Sequence, residues 1–194
     1  FERGHPIPYI CYDNEAYMNT GIQRCSSTPL CAATTTQPAG RLSWGKDRPK
    51  KNMPAIAMAH DIDYVATATV SYPKDLHEKV KKALTMEGPS YIQVHTPCCT
   101  GWGFPAEKTV EIGRLAVSTG LAPLFEMERG EITAVHKLEK QVPVEAYLTA
   151  QGRFKHLFQS EQGKREISKI QRIADRNIEA LGLLQTTVAV SGID

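Results

Sequence analysis

Two short stretches carry side chains whose types and spacing could do chemistry. The first, residues 11–21, reads Cys-Tyr-Asp-Asn-Glu-Ala-Tyr-Met-Asn-Thr-Gly, and an apolar run through Ile7 and Cys11 leads into the adjacent oxygen-bearing side chains of Asp13 and Asn14. Asn14 offers an amide oxygen and Ala16 a backbone carbonyl. Hard oxygens of this kind suit Mg2+, whose ligands sit at about 2.0–2.1 Å in near-octahedral geometry. In an extended strand, residues i and i+2 stand roughly 6.6 Å apart, too far to share one small ion, so the chain would have to curl just after the strand. Asn, Asp and Gly tolerate such a curl, and the same residues also read as an ordinary Asx turn. The second stretch, Thr96-Pro97-Cys98-Cys99-Thr100-Gly101-Trp102, follows an apolar run at residues 91–95. A cysteine there lies beyond the carboxyl end of a strand, where open α/β sheets gather their ligands. A lone cysteine also serves as a small packing residue, and His95 reads as a satisfied strand-end histidine rather than a ligand.

Residues 12–24, Tyr-Asp-Asn-Glu-Ala-Tyr-Met-Asn-Thr-Gly-Ile-Gln-Arg, resemble the second half of the thiamine diphosphate motif in the beta subunits of pyruvate:ferredoxin oxidoreductases. The resemblance implies that Asn14 is the Mg2+ side-chain ligand and that Ala16 gives a carbonyl to the same ion. It places Asn19 at the thiazolium and substrate end as the catalytic residue of this stretch, and Asp13 and Thr20 in the cofactor-binding loop. Pro97-Cys98 matches the Pro-Cys of the family, whose cysteine is one of four thiolates on a [4Fe-4S] cluster. Cys99 stands where the family usually has another residue. The motif of the family opens with Gly-Asp-Gly, which occurs nowhere in these 194 residues. The expectation is therefore a C-terminal portion of a longer beta subunit, with Gly-Asp-Gly and three further cysteines upstream of Phe1.

The activity implied is oxidative decarboxylation of pyruvate to acetyl-coenzyme A and carbon dioxide, with electrons passed through the [4Fe-4S] cluster to ferredoxin. It implies thiamine diphosphate, Mg2+ and the cluster as cofactors, and other subunits of alpha, gamma and delta type as partners. The alternatives are another 2-oxoacid such as oxalate, or a non-catalytic interaction module that retains the fold. The resemblance covers residues 1–157, a thiamine diphosphate-binding domain with an appended hairpin, and leaves residues 158–194 as a helical C-terminal extension.

The elements that must position these residues read as an α/β fold, a mostly parallel sheet flanked by helices. Residues 1–8 suggest the end of a helix before the first strand. Residues 22–51 are rich in Ser, Thr, Pro and Gly with neither helical nor strand period, and in the family such a stretch covers the cofactor and contributes to subunit contact. Within it Arg41, Lys46, Arg48, Lys50 and Lys51 form a basic loop, a solvated surface or a landing patch for an acidic electron carrier. Cys25 and Cys31 have no evident partner in it. A short helix at 51–60, a strand at 64–70, a helix opened by Pro73 and a strand at 91–95 follow. Next come an amphipathic helix at 107–119, a hairpin at 121–138 set apart from the parallel sheet, and a short helix at 144–150. A longer helix at 161–184 has apolar positions at intervals of three and four, suited to packing on the parent subunit or a neighbour.

Composition narrows the partners. At 41% hydrophobic the chain can bury a real core, and a net charge of +2 gives no argument for nucleic acid or membrane. No apolar stretch approaches the roughly 18 residues that span a bilayer. Five cysteines without a Cys-x-x-Cys pair make a poor disulfide framework, so a reducing cytoplasm is expected.

Overall fold

The computed structural model describes residues 1–185. Strand β1 (Pro8–Asp13) lies at one edge of a five-stranded sheet. A two-residue hairpin, β2 (Ala39–Gly40) and β3 (Ser43–Trp44), and helix α1 (Met53–Met58) precede strand β4 (Tyr64–Thr69). Helix α2 (Pro73–Ala83) crosses over to strand β5 (Ser90–His95), which slots between β1 and β4 and runs parallel to both. Pro73 opens α2, with Asp75 in its first turn and Lys81 and Lys82 in its last, charges that complement the helix dipole.

Ile92 and Val94 of β5 pack with Tyr64, Ala66 and Ala68 of β4 under α2. Val65 and Tyr91 point to the other face, against Ala57 and Ile62 beside α1. Burial on both faces is why the parallel strands read as continuous apolar runs. Helix α3 (Cys99–Trp102), a 3-10 turn (Ala106–Lys108) and helix α4 (Thr109–Ser118) follow β5. Helix α5 (Val144–Thr149), a 3-10 stretch (Gly152–Gln159) and helix α6 (Glu161–Leu181) close the second half. Ile167, Ile170 and Ala174 of α6 enter a core with Trp102, Ile112, Tyr147, Phe154 and Leu157. The α6 stripe is thus laid on this chain's own helices. Ser160 caps α6 by accepting from the Gly163 amide, and Gly182 ends it at φ 55. No helix among the described residues is long and apolar enough to cross a membrane.

Two expectations fail. The hairpin, β6 (Phe125–Glu128) and β7 (Glu131–Val135), does not stand apart: β6 pairs antiparallel with β4, giving the order β1-β5-β4-β6-β7. Side chains fix this join, since the Tyr64 hydroxyl donates to Glu126 at 2.9 Å and the Thr67 hydroxyl donates to the Pro123 carbonyl at 2.7 Å. Alternation in the sequence shows that two strands pair with each other but not what lies beyond them. Residues 1–7 form a turn and an extended lead rather than a helix end. Pro6 and Pro8 bias the residues before them to extended backbone.

Candidate functional site

Strands β1 and β5 end in register. Asp13 lies opposite His95, and the Thr96 amide donates to the Asp13 carbonyl at 3.0 Å. The chain therefore leaves both strands at one point, and the turn at Asn14, Glu15 and Ala16 stands beside the loop that carries Cys98. The residues of the turn differ in burial. Asn14 is half-buried, whereas Glu15 is turned into the protein and 5% exposed. Glu15 makes the curl that two neighbouring oxygen donors require, at φ 67. A left-handed backbone costs a non-glycine residue about 1–2 kcal/mol, so something must hold it.

Its side chain and backbone are both held. One Glu15 carboxylate oxygen accepts from Lys50 at 2.8 Å and the other from Arg153 at 2.7 Å, while the Thr28 hydroxyl donates to the Glu15 carbonyl at 2.7 Å. Asp13 accepts from the Glu15 amide at 3.1 Å, pairs with Lys50 at 2.5 Å, and takes further hydrogen bonds from Ser27 and Gln93. Burial by itself would raise the Glu15 carboxyl, but the Lys50 and Arg153 cations outweigh it and hold it well below the usual carboxylate range. The same carboxylates oppose burial at Lys50 and raise its ammonium above the ordinary value. His95, 3.7 Å from Glu15, is pushed down to about 4, by burial first and with Lys50 and Arg153 also lowering it, so it is neutral. It is not the satisfied histidine expected, because its Nδ1 is buried without a partner among the described residues.

The basic loop is corrected in the same way. Lys46 is buried, donating to the Ser26 and Thr28 carbonyls at 2.8 and 2.5 Å, and Lys50 is committed to Asp13 and Glu15. Neither can act in a landing patch. Arg41, Arg48 and Lys51 remain exposed. The two loop cysteines also have surroundings: Cys25 lies 3.6 Å from the Thr28 hydroxyl, and Cys31 is buried in the main core. Burial and Glu166 push the Cys31 thiol up to about 12, which makes it inert at neutral pH.

Beyond Ala16, Tyr17 and Gln23 exchange backbone hydrogen bonds of 3.0 and 3.1 Å, closing a small loop with Asn19 and Thr20 exposed on it. The Thr20 hydroxyl donates to Gln23 at 2.9 Å. Met18 turns inward to α3, where a Cβ on Gly101 would lie 2.2 Å from its sulfur and 3.4 Å from the Cys98 sulfur. Cys98 and Cys99 are both half-buried in this cluster. The structure thus gathers Asn14, Ala16, Met18 and Cys98 and sets Asn19 and Thr20 farther out.

From sequence alone, Trp102 and Arg153 have no role at the site, and Lys50 reads only as part of a basic loop. The Trp102 indole N–H donates to the Asn14 carbonyl at 2.9 Å, and the Arg153 guanidinium lies 3.8 Å above the Trp102 ring. Arg153 and Glu15 are 138 positions apart, and no local pattern announces such a pair.

Neutral oxygens at Asn14 and Ala16 fit part of an Mg2+ site, because the flanking carboxylates are already neutralised by Lys50 and Arg153. Among the described residues no three His, Cys, Asp or Glu side chains converge on a metal, so Cys98 does not by itself form a cluster site.

Residues 1–94 match the family described as thiamine pyrophosphate enzyme, C-terminal TPP binding domain. The chain is 60% identical over 179 residues to the pyruvate synthase subunit PorB of Methanosarcina barkeri, covering 92% of this chain and 60% of that one. It is 58% identical over 182 residues to PorB of Methanocaldococcus jannaschii, covering 94% and 59%. It is 51% identical over 158 residues to the ketoisovalerate oxidoreductase subunit VorB of Pyrococcus furiosus, covering 80% and 51%. A solved 2-oxoglutarate:ferredoxin oxidoreductase from Magnetococcus marinus aligns at TM-score 0.49 and 25% identity, over 59% of this chain and 37% of that one. The chain spans about three fifths of the length of the PorB relatives it matches.

The sheet with its matched segment is a thiamine diphosphate-binding domain of α/β class. Over most of its length the chain is a homologue of the pyruvate synthase subunit PorB.

Proposed function

We propose that the chain is part of the beta subunit of a CoA-acylating pyruvate:ferredoxin oxidoreductase, active only in the assembled complex. The observation that carries this is the in-register ending of β1 and β5, which sets the Asn14–Ala16 turn beside Cys98. Identity of 60% to a pyruvate synthase subunit supports it. Asn14 through its amide oxygen and Ala16 through its carbonyl would hold the Mg2+ of thiamine diphosphate, in a loop bounded by Asp13 and Thr20. The cofactor, when bound, supplies the carbon nucleophile and the electron sink for decarboxylation. Asn19, on the exposed loop, can turn its amide toward the anionic end of a 2-oxoacid. Met18 gives that loop an apolar underside against α3. Cys98 would contribute one thiolate to a [4Fe-4S] cluster whose other ligands lie outside the described residues. The partners are then the alpha-, gamma- and delta-type subunits and ferredoxin, with pyruvate and coenzyme A as substrates. A reducing cytoplasm suits the five free thiols.

Replacing Asn14 by Ala in the assembled complex should lower thiamine diphosphate retained after dialysis against a chelator by about tenfold or more, since even indirect supports of a metal are worth that much. Cofactor content equal to wild type would overturn the assignment. A second reading, a branched 2-oxoacid as substrate, is favoured by the likeness to a ketoisovalerate oxidoreductase subunit. Comparing ferredoxin reduction with pyruvate and with 3-methyl-2-oxobutanoate separates the two.

A further inference from the structure

We propose that Trp102 and Arg153 are positioning residues for the cofactor turn, a brace that sets the Asn14–Ala16 oxygens without touching the cofactor. This rests on the reading of that turn as the thiamine diphosphate site and names two residues that serve it. The brace has two arms meeting on one ring. Trp102 is fully buried at the end of α3, four residues beyond Cys98, and its indole N–H holds the Asn14 carbonyl at 2.9 Å. Arg153 is the second arm, its guanidinium 3.8 Å over the Trp102 ring and 2.7 Å from Glu15. Gln151 at 2.8 Å and the Tyr147 hydroxyl at 3.2 Å complete its hydrogen bonds and fix it to the second half of the chain.

The turn is thereby gripped at two consecutive residues from two directions. The Asn14 carbonyl is held from α3, and the Glu15 side chain from the 3-10 stretch. Rotation about either residue would swing the Asn14 amide relative to the Ala16 carbonyl, and the planar Arg153 fork permits little of it. The same ring ties the turn to the loop of Cys98, so the two motifs share one rigid support.

The test uses the complete assembled complex, freed of cofactor with a chelator and titrated calorimetrically with Mg2+ and thiamine diphosphate. Trp102→Phe keeps an aromatic ring at a smaller volume and removes the N–H that holds Asn14, the lost packing being what the Phe104 control measures, and the dissociation constant should rise about fivefold. Arg153→Lys keeps the charge but cannot span Glu15, Gln151 and Tyr147 while lying on the indole, and it should rise about tenfold or more. Phe104→Leu is the packing control: it touches Trp102 edge-on, with centroids 6.0 Å apart. A general loss of packing would lower the melting temperature of all three cofactor-free complexes alike, whereas the brace weakens binding in the first two alone. Unchanged affinity in Trp102→Phe, or an equal loss in Phe104→Leu, overturns the brace. A wild-type complex that binds no thiamine diphosphate overturns the parent reading instead. Should Arg153→Lys fail to assemble, Trp102→Phe against Phe104→Leu decides.

Discussion

A Lys50→Met chain is expected to lose about 3 kcal/mol of folding stability, the low end of the cost of removing one partner from a buried ion pair, because the Lys50 side chain itself is 26% exposed. Methionine fills nearly the same volume, so lost packing contributes little. What is lost is the cation shared by Asp13 and Glu15, at 2.5 and 2.8 Å, two carboxylates whose side chains are 3% and 6% exposed. Arg153 still serves Glu15, and Asp13 keeps its hydrogen bonds from Ser27, Gln93 and the Glu15 amide. Two adjoining negative charges are left with one guanidinium between them, and the strained turn at Glu15 loses one of the two cations on its side chain. Lys51, one position on and exposed, gives the matched control. Lys51→Met should move the urea midpoint by no more than about 0.5 kcal/mol equivalent. Equal midpoints for the two variants would mean that the network carries no stability. The pair also separates folding from electron-carrier docking, since the Lys50 charge is offset by the two carboxylates it contacts and steers an encounter at the surface only weakly.

The parallel strands were legible because burial on both faces writes itself into residues 64–69 and 90–95 as apolar runs, and Pro73 marks where α2 begins. The position of the turn after β1 was legible from Asp13 and Asn14, and that of the cysteine loop from Pro97 and Cys98. Their meeting was not, because register between β1 and β5 is a property of two strands about 80 positions apart. The same limit hid the ion network. Lys50 sits in a run of basic residues and Glu15 in a polar motif, so each looks solvated until the fold brings them together across 35 positions. Local spacing encodes which face a residue occupies, and long-range pairs of charges are set by packing that spacing does not record.

The second large effect is expected at Gly163, where alanine should destabilise the chain by about 2–3 kcal/mol, against the sign of helix propensity. Gly163 lies in the first turn of α6, and an added methyl there would ordinarily gain about 1 kcal/mol. Here the methyl has no room, since its carbon would lie 2.1 Å from the Leu157 carbonyl oxygen and 2.9 Å from the Leu157 Cα. Those atoms are backbone and cannot rotate away, so α6 must lift off the 3-10 stretch. Ile167 and Ile170 would then lose contact with Leu157 and Phe154 in the main core. The 3-10 stretch is also the segment that carries Arg153 to Glu15, so a shift there reaches the turn after β1. Gly163→Ala should therefore lower the urea midpoint and weaken Mg2+ and thiamine diphosphate binding together. A stabilised Gly163→Ala chain would show that α6 does not rest on Leu157, and would remove the route by which the C-terminal helix supports the site.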